Sequence, residues 1–456
     1  MAAAVQLVNE STFELPQESA SVRTLAKLFF ATFLAILLTG AVRKWVFPGA
    51  QIVYLLQDVP IGVAYLYALW KGIFDRGYLL LGIIVLTAVL TLQGLAQIII
   101  SGLDVTIALA GFHNYLFYFP MLVVFPLCLT EKYRRKFIQW YLLLSIPMCF
   151  LALAQAVSPK SAWINQTTGG DAFGVPGADV ARLSGTFNAV EFYGIWVGIA
   201  VALCMGEWLT PKERRVIKNR GLLILCTFTV NLCHLVAASR HAVLLAAIAV
   251  IGGAIGAVVL GSNRALIAIA GICVLLPVAA GATYVISPAE FNIVVYRFSA
   301  QGAEEDLSNR ISDALIGFAT IPRFSLIGAG IGLGVNAAHA GDPNAYQYTY
   351  TLSETDDIRN VMELGTPVGM FYILIRLGFG IVMIFICIRM VRSGSTPHLI
   401  PLSFVLFALV YGDMTRNATM TSTQIMVGYA FILGAYYYPE RITSQNLAAA
   451  VLVRTA

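Results

Sequence analysis

Charge is scarce in this chain: only 12% of its 456 residues are Asp, Glu, Lys or Arg, and 59% are hydrophobic, where a soluble domain carries about a quarter charged. With a mean hydropathy of +0.79, too little polar surface remains to cover a water-soluble globule. The soluble class is excluded and a membrane protein is expected. Cysteine is missing from the polar segments, since Cys128, Cys149, Cys204, Cys226, Cys233, Cys273 and Cys387 all fall inside long apolar runs. That placement excludes a disulfide framework or a thiolate zinc site in the loops and reads as small buried hydrophobes. The first 24 residues lack an apolar stretch preceded by positive charge, so they read as a cytosolic tail and not as a signal peptide. No internal repeat is evident, which weakens the case for an inverted-repeat transporter. The net charge of +5 calls for no nucleic-acid partner, because positive charge collects at the cytoplasmic rim of membrane helices.

What the chain has in abundance is apolar runs near the length, about 20 residues, that crosses a bilayer as a helix. They lie near 25–42, 51–70, 78–101, 106–129, 137–156, 188–208, 221–238, 242–261, 265–286, 366–388, 399–412 and 424–438. The expected fold is therefore an all-α polytopic membrane protein of about twelve transmembrane helices. The basic clusters Lys132, Arg134, Arg135, Lys136 and Lys212, Arg214, Arg215, Lys218, Arg220 fall in alternate connections, whereas the connections between them hold little more than Arg43, Lys44, Arg240 and Arg416. The positive-inside rule then puts both termini in the cytoplasm. The plan reads as a tail at 1–24, spans one to nine at 25–286 with an outer loop at 157–187, and a large extracytoplasmic loop at 287–365 between spans nine and ten. The last three spans at 366–438 and a second tail at 439–456 complete it. The large loop carries Phe318, Phe324, Tyr346, Tyr348 and Tyr350, enough to pack a lid of its own.

The scarce charge is also concentrated. SETDDIRNVMELG, residues 353–365, holds Glu354, Asp356, Asp357, Arg359 and Glu363. Its pattern predicts a helix entering the next span, capped by Ser353 or Thr355, with Glu354 and Asp357 on one face and an Arg359–Glu363 pair at i,i+4. One reading has these charges cap the helix and solvate the lid; the other makes one carboxylate catalytic, with Glu354 the choice. Arg182, Arg240 and Arg310 all fall on the outer side, where a guanidinium either snorkels to headgroups or binds the phosphate of a lipid, with His241 beside Arg240 as support. His113 lies within the fourth span, a functional position unless a neighbouring helix satisfies it. The run IGAGIGLGVN, 327–336, sits in no strand–helix alternation and reads as a tight turn under the lid, not as a phosphate loop. No His, Cys or carboxylate spacing suits a metal, so neither metal nor cofactor is expected.

Four segments, RLSGTFNAVEF at 182–192, SRHA at 239–242, NRISDALIGFATIPRFSLIGAGIGLG at 309–334 and MELGTPVG at 362–369, occur in an order that resembles the O-antigen ligase and O-antigen (exopolysaccharide) polymerase superfamily of bacterial membrane glycosyltransferases. The likeness spans roughly residues 180 to 380. It implies a multi-pass protein of the bacterial inner membrane whose site faces the periplasm and whose donor is an undecaprenyl-diphosphate-linked oligosaccharide. Membrane lipid, a chain-length regulator and a flippase are the further partners it allows. Ligases of the superfamily place a histidine where this chain has Glu354, eleven positions before Gly365, and the difference tilts the expectation toward a polymerase. The resemblance thus implies a metal-independent inverting transfer with Arg182, Arg240 and Arg310 on the diphosphate, Glu354 as base, and Asp356, Asp357, Arg359 and His241 in support. A ligase acting on a lipid acceptor, a peptidoglycan-type polymerase, and a transporter or flippase of lipid-linked sugars stand as alternatives.

Overall fold

The computed structural model describes residues 19–48, 50–167, 174–175, 178–181, 183–237, 239–286, 288, 291–292, 295, 325–334, 356–412 and 418–439. Helices dominate them: α1 (Ala20–Ala41), α2 (Asp58–Lys71), α3 (Tyr78–Ser101), α4 (Val105–Leu116), α5 (Glu131–Val157), α6 (Val190–Leu209), α7 (Arg220–Val236), α8 (Arg240–Leu260), α9 (Asn263–Ile286), α10 (Asp356–Leu364), α11 (Thr366–Arg392), α12 (Leu399–Gly412) and α13 (Ala418–Tyr437). A two-stranded antiparallel hairpin, Gly174–Val175 with Ala178–Ala181, precedes α6. Among the described residues, eight helices are long and apolar enough to cross a membrane. Arg220–Leu235, Pro277–Ile286 and Leu399–Tyr411 are shorter apolar helices. The protein is an all-α, multi-pass membrane protein.

Helix α6 is the axis of the bundle, in contact with α5, α7, α8, α9, α12 and α13 and buried almost throughout. Small residues let its neighbours close in. A Cβ at Gly198 would fall on Leu245 of α8, and one at Gly206 on His398 just ahead of α12. Helices α8 and α12 run antiparallel, because Gly252 faces Pro401 and Phe404 while Gly256 faces Ile400. The first turn of α8 and the last turn of α12 therefore share one end of the bundle, the end that the charge pattern assigns to the outside. At the periphery, α3 presents Leu81, Ile84, Leu92, Leu95 and Ile99 outward, the surface expected against lipid. The six described cysteines are buried and unbridged.

Two local features depart from the sequence reading. Arg43 and Lys44, read as residues of a short outer connection, belong to a π-turn, Val42–Val46, that continues α1, and both side chains are buried. The expected helix in 353–365 is present as α10, but it does not run on into the span. Gly365, at φ 80°, reverses the chain, a conformation that glycine adopts without a Cβ penalty. As a result α10 folds back along α11, with Val361 over Gly369 and Asp356 beside Arg376 in the third turn of the span. A Cβ on Gly369 would lie 2.5 Å from the Val361 Cα, so no side chain fits between the two helices. Gly369→Ala is accordingly expected to lower the stability of the detergent-solubilised protein by about 1–3 kcal/mol, the usual cost of overpacking, read from thermal unfolding.

Candidate functional site

Helix α10 carries the charge that the sequence concentrates, and the fold hides it. Asp356, Asp357, Arg359, Asn360 and Glu363 are all buried. Where solvation of a lid was one expectation, these side chains instead meet polar partners from three other segments, the 330–334 turn, α4 and α11. The reason is geometric: the Gly365 reversal turns the polar face of α10 inward, and burial without partners would cost several kcal/mol per charge.

Glu363 is the best-connected of them. Its carboxylate accepts hydrogen bonds from the Gly332 amide at 3.0 Å, the Gly334 amide at 2.6 Å and the Tyr115 hydroxyl at 3.0 Å, with Arg359 one turn away on the same helix. The Tyr115 hydroxyl also donates to Asn360 Oδ1 at 2.9 Å. The glycine run is thus a tight turn, as its sequence suggests, yet its amides do cradle an anion, supplied by the chain's own side chain. At Gly334 only a glycine fits, because a Cβ there would collide with the Glu363 carboxylate and the Arg359 stem. Two glutamines of α3 hold the same loop from the other side. Gln93 Nε2 donates to the carbonyls of Ile327 (2.7 Å) and Leu364 (2.6 Å), and Gln97 joins the Ile327 and Glu363 carbonyls to the Ile331 amide.

Arg376 anchors the other end of α10. Its guanidinium donates to Asp356 Oδ2 at 3.2 Å, to the Val410 carbonyl at 2.7 Å through Nε, and to the Tyr411 carbonyl at 3.1 Å. Val410 and Tyr411 lie near the end of α12 as described, so Arg376 both neutralises Asp356 and ties α10 and α11 to α12. Its Nη1 and the Tyr372 hydroxyl are buried donors with no partner among the described residues. The cluster therefore keeps two unpaired donors beside its carboxylates.

Of the residues expected at the site, Asp356, Asp357 and Arg359 come together in this cluster. Arg240 and His241 open α8, which Ser239 caps, at the same end of the bundle. Glu354, Arg182 and Arg310 lie outside the described residues, as do Ser353 and Thr355. The residues that follow Arg182 are described and tightly held. Lys44 Nζ donates to Ser184 Oγ (3.0 Å), the Gly185 carbonyl (2.8 Å) and the Phe187 carbonyl (3.2 Å), while Gln155 Oε1 accepts from the Gly185 amide at 2.9 Å. His113 has its partner on a neighbouring helix: Nε2 lies 3.1 Å from Asp58 Oδ2, and Tyr118 donates to Asp58 Oδ1 at 2.8 Å. The sequence reading passed over Arg376, Tyr115, Gln93 and Gln97. For Arg376 a signal was present, since an arginine inside an apolar span marks a partnered or functional group by default.

No family model matches this chain, and no curated protein matches it.

Burial pushes the Glu363 carboxyl up from 4.5 to about 7, against the opposing pull of Arg359 and the Gly332, Tyr115 and Gly334 donors. A carboxyl raised in the folded state contributes stability that is complete below its unfolded value and is lost as pH rises through the folded one. Relative to Glu363→Gln, the wild-type protein should therefore lose stability between about pH 4.5 and about pH 7, a difference read from paired thermal-unfolding curves across that range. For the Asp356–Arg376 pair, Asp356→Asn and Arg376→Gln should each destabilise strongly, by about 3–5 kcal/mol, because each leaves a buried partner uncompensated. The double variant should cost clearly less than the sum of the two, as a double-mutant cycle would measure.

Proposed function

We propose that the chain is a polysaccharide polymerase that transfers a lipid-diphosphate-linked oligosaccharide to an acceptor sugar hydroxyl at the outer face of the bacterial inner membrane. In this reading the helices form about twelve spans with both termini in the cytoplasm. The observation that carries it is the placement of Asp356, Asp357 and Arg359 in a buried, partnered cluster on α10, at the same end of the bundle as Arg240 and His241. Carboxylates and guanidinium groups gathered at one face are what such a transfer needs. A sugar on diphosphate already has a good leaving group, so the enzyme must neutralise that anion, align the acceptor and accept one proton.

The steps balance without a metal. The acceptor hydroxyl attacks the anomeric carbon from the face opposite the diphosphate and gives its proton to Glu354. The bond from that carbon to the diphosphate oxygen breaks, its electron pair leaves with the undecaprenyl diphosphate, and the configuration inverts. Arg182, Arg240 and Arg310 hold the diphosphate, where the planar guanidinium fork matches phosphate oxygens. Asp356, Asp357 and Arg359 support the base from α10, and His241 supports Arg240. Ligase-type transfer to a lipid acceptor would use the same donor chemistry.

A transporter of lipid-linked sugars is the second reading, and the Asp58–His113 pair favours it, because titratable pairs inside spans recur in proton-coupled carriers. Purified protein supplied with an undecaprenyl-diphosphate-linked oligosaccharide separates the two: lengthened chains are expected, and movement of the donor across vesicles without extension would establish the transporter. Glu354→Gln should accumulate normally and lower turnover by about 10² to 10⁴, the usual contribution of a general base. Arg240→Lys should lose most of the product, since a point charge replaces a bidentate fork. Wild-type rates in both variants would remove these residues from the mechanism.

A further inference from the structure

The corner formed by the end of α1, the 3-10 turn Gln51–Leu56 and the loop 183–188 holds two consecutive cations out of water. Arg43 is 5% exposed and Lys44 1%. Among the described residues neither has a carboxylate partner. Lys44 Nζ bonds Ser184, Gly185 and Phe187, so its hydrogen bonds are met. Arg43 is less provided for. Its guanidinium lies 3.4 Å over the Tyr54 ring, a stack that leaves the N–H groups in the plane free to bond sideways, and Nε and Nη1 are buried with no hydrogen-bond partner. Next to them, Asn188 is 3% exposed and both polar atoms of its side chain also lack a partner. Its backbone packs against Gly40, one turn before Arg43 and Lys44. A buried guanidinium with unpaired donors, a buried lysine and an unpaired amide Nδ2 in one corner are costly, and an anion answers these donors together.

The surroundings select the kind of anion. Val46, Phe47, Ile52, Leu55, Leu56 and Val59 are exposed along the same flank, a run of apolar side chains that suits a hydrocarbon tail. We infer that this corner is a binding site for the phosphate of a lipid, with Arg43 and Asn188 bonding the phosphate oxygens, Lys44 adding charge, and the tail lying along the exposed flank. The same chemistry is offered by a prenyl diphosphate and by an anionic phospholipid. The inference goes beyond the glycosyltransferase reading and does not depend on it, since occupancy is read as binding and not as turnover.

The test follows thermal unfolding of the full chain in detergent during titration with farnesyl diphosphate, short-chain phosphatidylglycerol, inorganic diphosphate and, as the uncharged control, farnesol. A saturable rise in unfolding temperature is expected with the first two and none with farnesol. Tighter binding of farnesyl diphosphate would identify a prenyl carrier as the source, and equal or tighter binding of phosphatidylglycerol would identify a phospholipid. Inorganic diphosphate matching both would overturn the role given to the tail. Arg43→Gln should weaken lipid binding at least about tenfold, the loss expected for a hydrogen bond to a charged group. Without ligand the same variant should unfold at the same or a higher temperature than the wild type, because it removes a buried charge that has no carboxylate partner. A lower unfolding temperature together with unchanged lipid affinity would overturn the site and leave Arg43 as a structural stack on Tyr54. Arg43→Lys, which keeps the charge and loses the fork, gives an independent reading: it should accumulate normally and bind more weakly, and unaltered binding would likewise count against the proposal.

Discussion

The carboxylate of Glu363 joins pieces that the chain makes far apart: the glycine turn at 330–334 through two amides, α4 through Tyr115, and α10 itself. In an environment with little water, a backbone segment without regular structure survives only if its amides and carbonyls find partners within the protein. The segment 325–334 does so partly with backbone, since the Ala329 and Gly330 amides reach the Met362 and Glu363 carbonyls, and partly with side chains, since Glu363 takes two amides and Gln97 a third, while Gln93 and Gln97 cover carbonyls. Irregular backbone can sit against the spans here because α10 and the glutamines of α3 reproduce what a helix would have supplied.

Arg376 follows the same logic from the opposite direction. A guanidinium inside an apolar span is costly, and it is retained here because it bonds two partners at once, the carboxylate of Asp356 and the Val410 and Tyr411 carbonyls of α12.

Much of the architecture was legible from hydropathy. Each apolar run picked from the sequence overlaps a helix, with eight described helices long and apolar enough to cross a membrane, and a short helix lies within 353–365 as expected, although its expected caps Ser353 and Thr355 lie outside the described residues. What periodicity could not convey is direction after a break. MELGTPVG reads equally well as a helix continuing into a span and as one doubling back, and the difference rests on the φ of a single glycine. Burial of charge was illegible for a related reason: Asp356 and Arg376 lie twenty positions apart, with nothing local to pair them. In the same way Arg43 and Lys44 look like loop cations because the apolar run stops at them, whereas their surroundings come from residues 54 and 184–187. The Arg359–Glu363 spacing, being local, was legible. Of the three arginines and one glutamate that the family resemblance favours, Arg240 lies among the described residues.

The contacts of Arg376 also bear on how the protein is made. The ribosome completes α11 before Val410 and Tyr411 exist, so the arginine enters the membrane with Asp356 as its only neighbour from this set, and the α10 hairpin is still incomplete. The Glu363 contacts need nothing from α12, but the Arg376 end of the cluster depends on carbonyls synthesised 34 residues after that arginine. The charged cluster is consequently a late product of biogenesis, finished only when Val410 and Tyr411 reach Arg376. A chain truncated ahead of that point would insert most of its helices and still lack the Arg376 end of the cluster.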